Sequence, residues 1–262
     1  MGRVQLFEFH DLAWFPAVWR DLLTDFLSFY AGIFKPYACA APLLADAVNG
    51  AEARKIVDLC SGAGRPILSL TPALNRHGLA DLEVTLTDKF PNIASWSRVS
   101  GETCAAVTFV RSPVDAAEVP PGLKGFRTLF TSFHHFCPDE ARKILANAVA
   151  NREGIGVFEY TERNWMIWAV PTLLIPLFVW LCTPFIRPFG WHRLVWTYLI
   201  PVVPIVAMWD GFVSNLRSYS VDELGRLVES LEDPRYSWRI GKVRSLGISR
   251  VTYAVGVPRK RG

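Results

Sequence analysis

The five cysteines of this sequence include no CxxC pair and none beside histidines at metal-ligand spacing. Scattered at Cys39, Cys60, Cys104, Cys137 and Cys182, they argue against a disulfide framework and a cysteine-built zinc site, and they fit a reducing compartment. No metal site is expected. Clustered basic charge is also scarce. The net charge is +4, and the only basic cluster is Arg259-Lys260-Arg261. The tail reads as solvated or as a contact for anionic phospholipid headgroups. Without a basic face interleaved with aromatics, no nucleic-acid partner is expected. The N-terminus carries acids, aromatics and Pro16 where a secretory signal needs a basic start and a pure apolar run, so no cleaved targeting segment is predicted. Internal repeats and low-complexity segments are absent from the sequence.

What is present is apolar residue, at 51% of 262 positions, enough for the core of one elaborated domain. Over residues 7–34, Val18, Leu22, Phe26 and Phe29 recur at helical spacing among charges, which predicts one or two amphipathic helices. Another helix is expected near 36–50, stopping at Asn49-Gly50. Together residues 1–50 form an N-terminal helical cap. From residue 54 the pattern changes to short apolar runs separated by helical stretches, the signature of βα repeats in a mainly parallel sheet. Strands are predicted at 54–60, 83–88, 107–110, 126–131 and 154–160, with helices at 65–77, 90–103 and 138–151. Ser220-Val-Asp-Glu223 is a capping box that opens a helix to about Leu231. Two last strands near 236–243 and 249–256 would be antiparallel neighbours if they form a hairpin. The core is therefore expected over 51–164 and 210–262.

Between these parts lies an apolar insertion, residues 165–209. No charged side chain occurs from Trp165 to Ile186, nor from Leu194 to Trp209. Runs of this kind are membrane candidates. At about 1.5 Å per residue the second run reaches only about 24 Å, short of a hydrocarbon core of about 30 Å. Full crossing would also carry Arg187 and Arg193 to the far side, against the positive-inside tendency. Pro171, Pro176, Pro184, Pro201 and Pro204 suit a bent wedge, and Trp165, Trp168, Trp191, Trp196 and Trp209 suit interface depth. A monotopic or re-entrant hairpin on the cytoplasmic side of a membrane is expected, with a full transmembrane hairpin as an alternative. A buried core or a dimer contact is the other account of these helices.

The chemistry starts in Asp58-Leu-Cys-Ser-Gly62-Ala-Gly64, a strand that runs into an acid and a glycine turn. Gly62 and Gly64 let the backbone bend tightly and approach a ligand. Cys60-x-Gly62-x-x-Arg65 does not satisfy the GxGxxG dinucleotide fingerprint. The segment resembles the first motif of the class I S-adenosylmethionine-dependent methyltransferases, acid-x-Gly-x-Gly-x-Gly, with Cys60 in place of the first glycine. The resemblance covers residues 54–160 well and 210–257 in topology. It implies an α/β, Rossmann-like, mainly parallel seven-stranded sheet with helices on both faces, and S-adenosylmethionine as cofactor. By the same resemblance, Asp58, Cys60, Gly62 and Gly64 lie along the methionine end. Asp88 with Lys89 lies at the ribose, Asp115 near the adenine, and Ser132 in the fourth motif, Phe130-Thr-Ser-Phe-His-His-Phe136. Asp88 alone could instead cap the next helix, and Asp115 could simply form a turn.

His134 or His135 would stand beside the transferable methyl, where a neutral imidazole could take a proton from an acceptor. The alternative is one buried histidine and one bonded to backbone. Glu159, at a strand end where open α/β sheets bind ligands, is the other candidate base. Asp11, Trp14 and Tyr30 from the cap, and Arg217 and Tyr219 beyond the insertion, could approach the mouth. The reading is a membrane-associated methyltransferase with a lipid or other apolar small-molecule acceptor. A soluble small-molecule methyltransferase with a buried apolar cap, and a non-catalytic scaffold, are the competitors. The sequence leaves the oligomeric state undetermined.

Overall fold

In the computed structural model, residues 2–103 and 105–259 are described, with backbone alone at 165–167. Cys104, Lys260 and Arg261, and the interface role expected of Trp165, fall outside the described residues.

Five short strands, β1 (Lys55–Asp58), β2 (Glu83–Leu86), β3 (Ala106–Phe109), β4 (Phe126–Phe130) and β5 (Ile155–Glu159), pair in parallel. β6 (Tyr236–Arg244) and β7 (Arg250–Pro258) form the antiparallel hairpin, and β7 inserts beside β5. The order β3-β2-β1-β4-β5-β7-β6 reverses direction between β1 and β4. A crevice for ligands is expected above the carboxyl ends at such a switch point. β1, β4 and β5 are buried almost throughout because both faces are covered. α2 (Ala41–Gly50), α3 (Arg65–Arg76) and α4 (Ile93–Ser100) cover one face, and α5 (Pro138–Asn151) and α9 (Val221–Glu229) the other.

The strands end earlier than the hydrophobic pattern predicts. β1 stops at Asp58 because Cys60 takes a φ of 53°, and β4 stops at Phe130 because Thr131 takes 42°. Both residues swing the chain out over the sheet ends. α5 has the predicted bounds, and the expected capping box opens α9, with Ser220 Oγ accepting from Glu223 N. Of the N-terminal helices, one long one forms, α1 (Ala17–Phe34), after a single 3-10 turn at Phe9–Asp11.

The insertion makes α6 (Trp165–Cys182), a short α7 (Trp191–Leu194) that continues as a π-helical turn to Leu199, and α8 (Val202–Arg217). α8 runs past residue 209 because nothing breaks the helix there; the absence of charge had marked an apolar stretch, not a helix end. The insertion does not stand away from the body. α6 and α8 pack on α1 through a third core cluster that includes Leu22, Phe26, Val179 and Val203. Arg193 is buried, not at a free tip, and its Nη2 is 2.6 Å from Asp25 Oδ2 on α1. Arg98 of α4 reaches the other oxygen of Asp25 at 3.3 Å, so the far end of the hairpin is tied to the core. Trp196 packs edge-on against Trp19 of α1 at 5.2 Å, while Trp191 stays 76% exposed.

Candidate functional site

The glycine turn is built from left-handed residues. Cys60, Gly62 and Gly64 have φ of 53°, 52° and 78°. A side chain in this region costs roughly 1–2 kcal/mol, which is why the motif favours glycine at the position Cys60 holds. A Cβ on Gly64 would stand 2.8 Å from Leu86, so that glycine serves packing as well as conformation. Gly62 N donates to Asp88 Oδ2 at 2.8 Å, and Gly62 O accepts from Trp96 Nε1 at 2.8 Å. Cys60, Ser61 and Gly62 line the cavity above the sheet, whereas Asp58 and Gly64 do not. Burial pushes the Cys60 thiol well above its ordinary range, so it is no nucleophile.

Asp58 is therefore a support. Its Oδ1 accepts from Thr128 Oγ1 at 2.6 Å. Burial lifts its pKa from 3.8 to about 7, against the hydrogen bonds from Thr128 and Ser61. The folded chain then holds this proton longer than the unfolded chain, so stability is fully present below pH 3.8 and falls as pH rises towards 7. Asp58→Asn keeps the acceptor for Thr128 and removes this slope. Urea unfolding at a series of pH values should show the variant gaining on wild type as pH rises from 4 to 7; parallel curves would contradict the assignment.

Asp88 follows β2 and lines the cavity. Its Oδ2 holds Gly62 N and its Oδ1 accepts Phe90 N at 2.8 Å, leaving each oxygen a further lone pair. Burial raises its pKa, partly countered by those two backbone donors. Lys89 is exposed at the cavity edge, with Nζ 3.3 Å from Asp115 Oδ2. Asp115 is not part of the lining. It accepts Ala117 N at 2.9 Å and caps a 3-10 turn, the turn-forming role that was the other account of it.

Beyond β4, Thr131 accepts from Tyr37 Oη at 2.6 Å and from Tyr160 N at 2.9 Å, and these bonds hold its unusual backbone. Ser132 lines the cavity with its buried Oγ unpartnered. Glu159 is 1% exposed and fully used: Oε1 accepts Ser132 N at 3.0 Å and Phe133 N at 2.7 Å. Its Oε2 meets His134 Nδ1 at 2.7 Å and Thr161 Oγ1 at 3.2 Å. Burial works against the carboxylate, yet His134 and these donors hold its pKa below the usual value. Glu159 does not line the cavity, so the base role foreseen for it becomes a positioning role.

Both histidines do line it. Burial opposes charge on His135, but Glu8 and Asp11 outweigh it and raise the pKa to about 9. Both carboxylates thus favour a proton on this ring, the opposite tendency to the neutral base foreseen. Arg217 organises the rest. Its Nη1 bonds Asp11 Oδ2 at 2.7 Å, Nε bonds His134 O at 3.2 Å, and Nη2 bonds His135 O. Arg3 bonds the carbonyls of Arg217, His134 and Phe136. Asp11 and Arg217 thus reach the site as foreseen, and Tyr30 lines the cavity while Trp14 and Tyr219 do not. Glu8 was missed. It is 2% exposed between the histidines and Arg217, and no periodicity in residues 2–8 marks it.

These residues form the polar floor of a cavity of about 990 Å³. From Gly62 and Asp88 it extends between α1, α6 and α8, where Leu23, Phe26, Leu27, Phe34, Ile175 and Phe178 line it. One end thus offers carboxylate, serine and backbone groups, and the other offers aliphatic and aromatic surface. A half-polar, half-apolar space of this size suits a polar ligand beside an apolar one.

No protein-family model and no curated protein matches the sequence. Among solved structures, the chain is similar to the plantazolicin methyltransferase BpumL in complex with SAH, with a TM-score of 0.59 at 10% identity over 94% of this chain and 93% of that one. It is also similar to NcsB1, an O-methyltransferase from neocarzinostatin biosynthesis in complex with S-adenosylmethionine and 2-hydroxy-5-methyl naphthoic acid. There the TM-score is 0.51 at 15% identity, over 90% of this chain and 56% of that chain. At such identities the likeness is one of fold. With its strand order, its antiparallel β7 and its glycine turn after β1, this chain has the fold of the class I S-adenosylmethionine-dependent methyltransferases.

Proposed function

We propose that this chain is an S-adenosylmethionine-dependent methyltransferase that works on a lipid or other apolar acceptor at the cytoplasmic side of a membrane, as a monotopic protein. The observation that carries the reading is the cavity, whose polar end lies over the strand ends and whose apolar end opens between α1, α6 and α8. The residues present fit the cofactor. Asp88 retains lone pairs for two hydroxyl donors, the Gly62 turn admits close approach, and the orphaned Ser132 Oγ faces the same space. BpumL and NcsB1 were solved with SAH and S-adenosylmethionine, which supports the same choice here. When bound, the cofactor supplies an already activated methyl group. Alignment and exclusion of water then provide much of the rate. The aromatic walls from α1 and α6 serve both ends.

Support for the membrane comes from α6. Its inner face lines the cavity with Pro171, Ile175 and Phe178. Its outer face carries Val170, Leu173, Leu177 and Leu181, which are 64%, 71%, 50% and 63% exposed. A helix apolar on both faces needs cover on both. The window 168–185 has a mean hydropathy of 1.7, yet only 17% of it is buried by the chain. Self-burial therefore does not account for it. Because Arg193 and Asp25 hold the hairpin along the body, the reading is a helix lying in the interface, not a span.

The test incubates purified protein with methyl-labelled S-adenosylmethionine and total membrane extract, and label is expected in a lipid fraction. Label found only in a soluble metabolite would overturn the acceptor class. Leu173→Glu with Leu181→Glu should reduce co-sedimentation with anionic vesicles by more than about tenfold, since each leucine contributes about 1.5–3 kcal/mol when buried. Surface changes of this kind leave stability within about 0.5 kcal/mol. Unchanged co-sedimentation would leave α6 as a protein contact.

A further inference from the structure

Three buried atoms converge on the cavity floor without a hydrogen-bond partner: Glu8 Oε1, His134 Nε2 and His135 Nδ1. His134 Nε2 lies 3.7 Å from Glu8 Oε1, and His135 Nδ1 lies 3.6 Å from Glu8 Oε2, too far for N–H···O bonds. The tautomer of His134 shows what the gap means. Its Nδ1 is 2.7 Å from Glu159 Oε2, and an ionised carboxylate only accepts, so Nδ1 carries the proton. In the neutral ring Nε2 then points a lone pair at the Glu8 carboxylate. Two acceptors facing each other in a buried place call for a cation between them.

We propose that Glu8, His134 and His135 bind a divalent cation of the zinc class. The three ligand atoms lie within 4.8 Å of one another. Around an ion with bonds of about 2.0–2.1 Å, ligand atoms sit roughly 3.3 Å apart. The two Glu8 contacts, at 3.7 and 3.6 Å, are close to that spacing, and the widest separation in the group, up to 4.8 Å, closes by side-chain rotation. Glu159 is the outer carboxylate that fixes a ligand histidine's tautomer, and it is itself pinned by Ser132 N and Phe133 N. Arg217 Nη1 pairs with both Glu8 Oε1, at 3.3 Å, and Asp11 Oδ2, at 2.7 Å, so one guanidinium is shared between two carboxylates. Asp11 stands alongside, its Oδ1 2.7 Å from His135 Nδ1, so ligation there displaces the proton that Asp11 otherwise holds on the ring and passes it to solvent, as metal binding to a histidine does. Two histidines and one carboxylate leave a coordination position open, and these residues line the cavity, so that position faces the ligand space. The ion stands on these ligands alone. Use of its open position by an oxygen of the acceptor rests on the methyltransferase reading.

The test strips the full chain with a chelator and titrates it with Zn(II) against a competing dye, without S-adenosylmethionine, so the outcome is independent of methyl transfer. One equivalent should bind, and Glu8→Gln and His135→Gln should each weaken it by about 100-fold. Circular dichroism checks that both variants are folded. Co(II) in place of zinc should give d–d bands of a nitrogen and oxygen site. Thiolate-to-Co(II) charge transfer would move the ion to Cys60 or another cysteine and overturn the proposal. So would stoichiometric binding that both variants retain, or no binding by wild type. Should one variant unfold, the other and the Co(II) spectrum of wild type decide.

Discussion

Asp88→Asn is expected to weaken S-adenosylmethionine binding by about 100-fold in isothermal titration, while the chain stays folded. The carboxylate does two jobs with different sensitivities. Each oxygen takes one backbone donor, Gly62 N or Phe90 N, and so staples the β1 turn to the end of β2. Each also keeps a further lone pair, which on the proposed reading accepts a ribose hydroxyl. An amide turns one of these oxygens into a donor. That sets an N–H against a backbone N–H, at about 1–3 kcal/mol of stability. It also removes one hydroxyl acceptor and the charge that strengthens the other. Hydrogen bonds to charged groups contribute about 1.5–3 kcal/mol each, and 2.8 kcal/mol corresponds to about 100-fold in affinity. Unchanged affinity in a destabilised variant would reduce Asp88 to the staple. Lost affinity at nearly full stability would separate the two jobs.

How far the sequence could be read follows from what kind of information each residue needed. The alternation of short apolar runs with helical stretches placed all seven strands and fixed α5 to the residue, because Pro138 and the period of its buried face are local signals. Direction was harder. Asp58, Asp88 and Glu159 all stand at or just after strand ends, and sequence position alone treats them alike. In the structure Asp88 points to the cavity, Asp58 turns under the glycine loop to Thr128, and Glu159 turns back to the backbone of Ser132 and Phe133. Cys60 looked like a matter of size, but its φ of 53° makes it a matter of backbone conformation. Glu8 could not be read at all. It lies in an irregular N-terminal segment that Arg3 and Arg217 bring under the His134-His135 turn, and such a contact leaves no spacing to recognise.

Glu159→Ala is expected to lower unfolding stability by about 3–5 kcal/mol in urea, the range for breaking a buried, paired charge. It strands two backbone N–H groups and His134 Nδ1 in a place that is 1% exposed. Glu159→Gln should behave differently, because its oxygen can keep Ser132 N and Phe133 N while its amide turns to His134. Its loss should stay near the 1–2 kcal/mol of a single altered hydrogen bond. Equal losses in the two variants would mean that the charge, and not the bonds, holds the turn. The glutamine has a second consequence. Its amide donates to His134 Nδ1, which drives the ring proton to Nε2, 3.7 Å from Glu8 Oε1. A nitrogen that carries a proton cannot ligate, so Glu159→Gln should fold and yet lose Zn(II) affinity. A residue that only props up the fold would lose Zn(II) affinity in step with stability; Glu159→Gln should lose affinity while keeping most of the stability that Glu159→Ala loses, because what Glu159 sets is the direction in which His134 presents its lone pair.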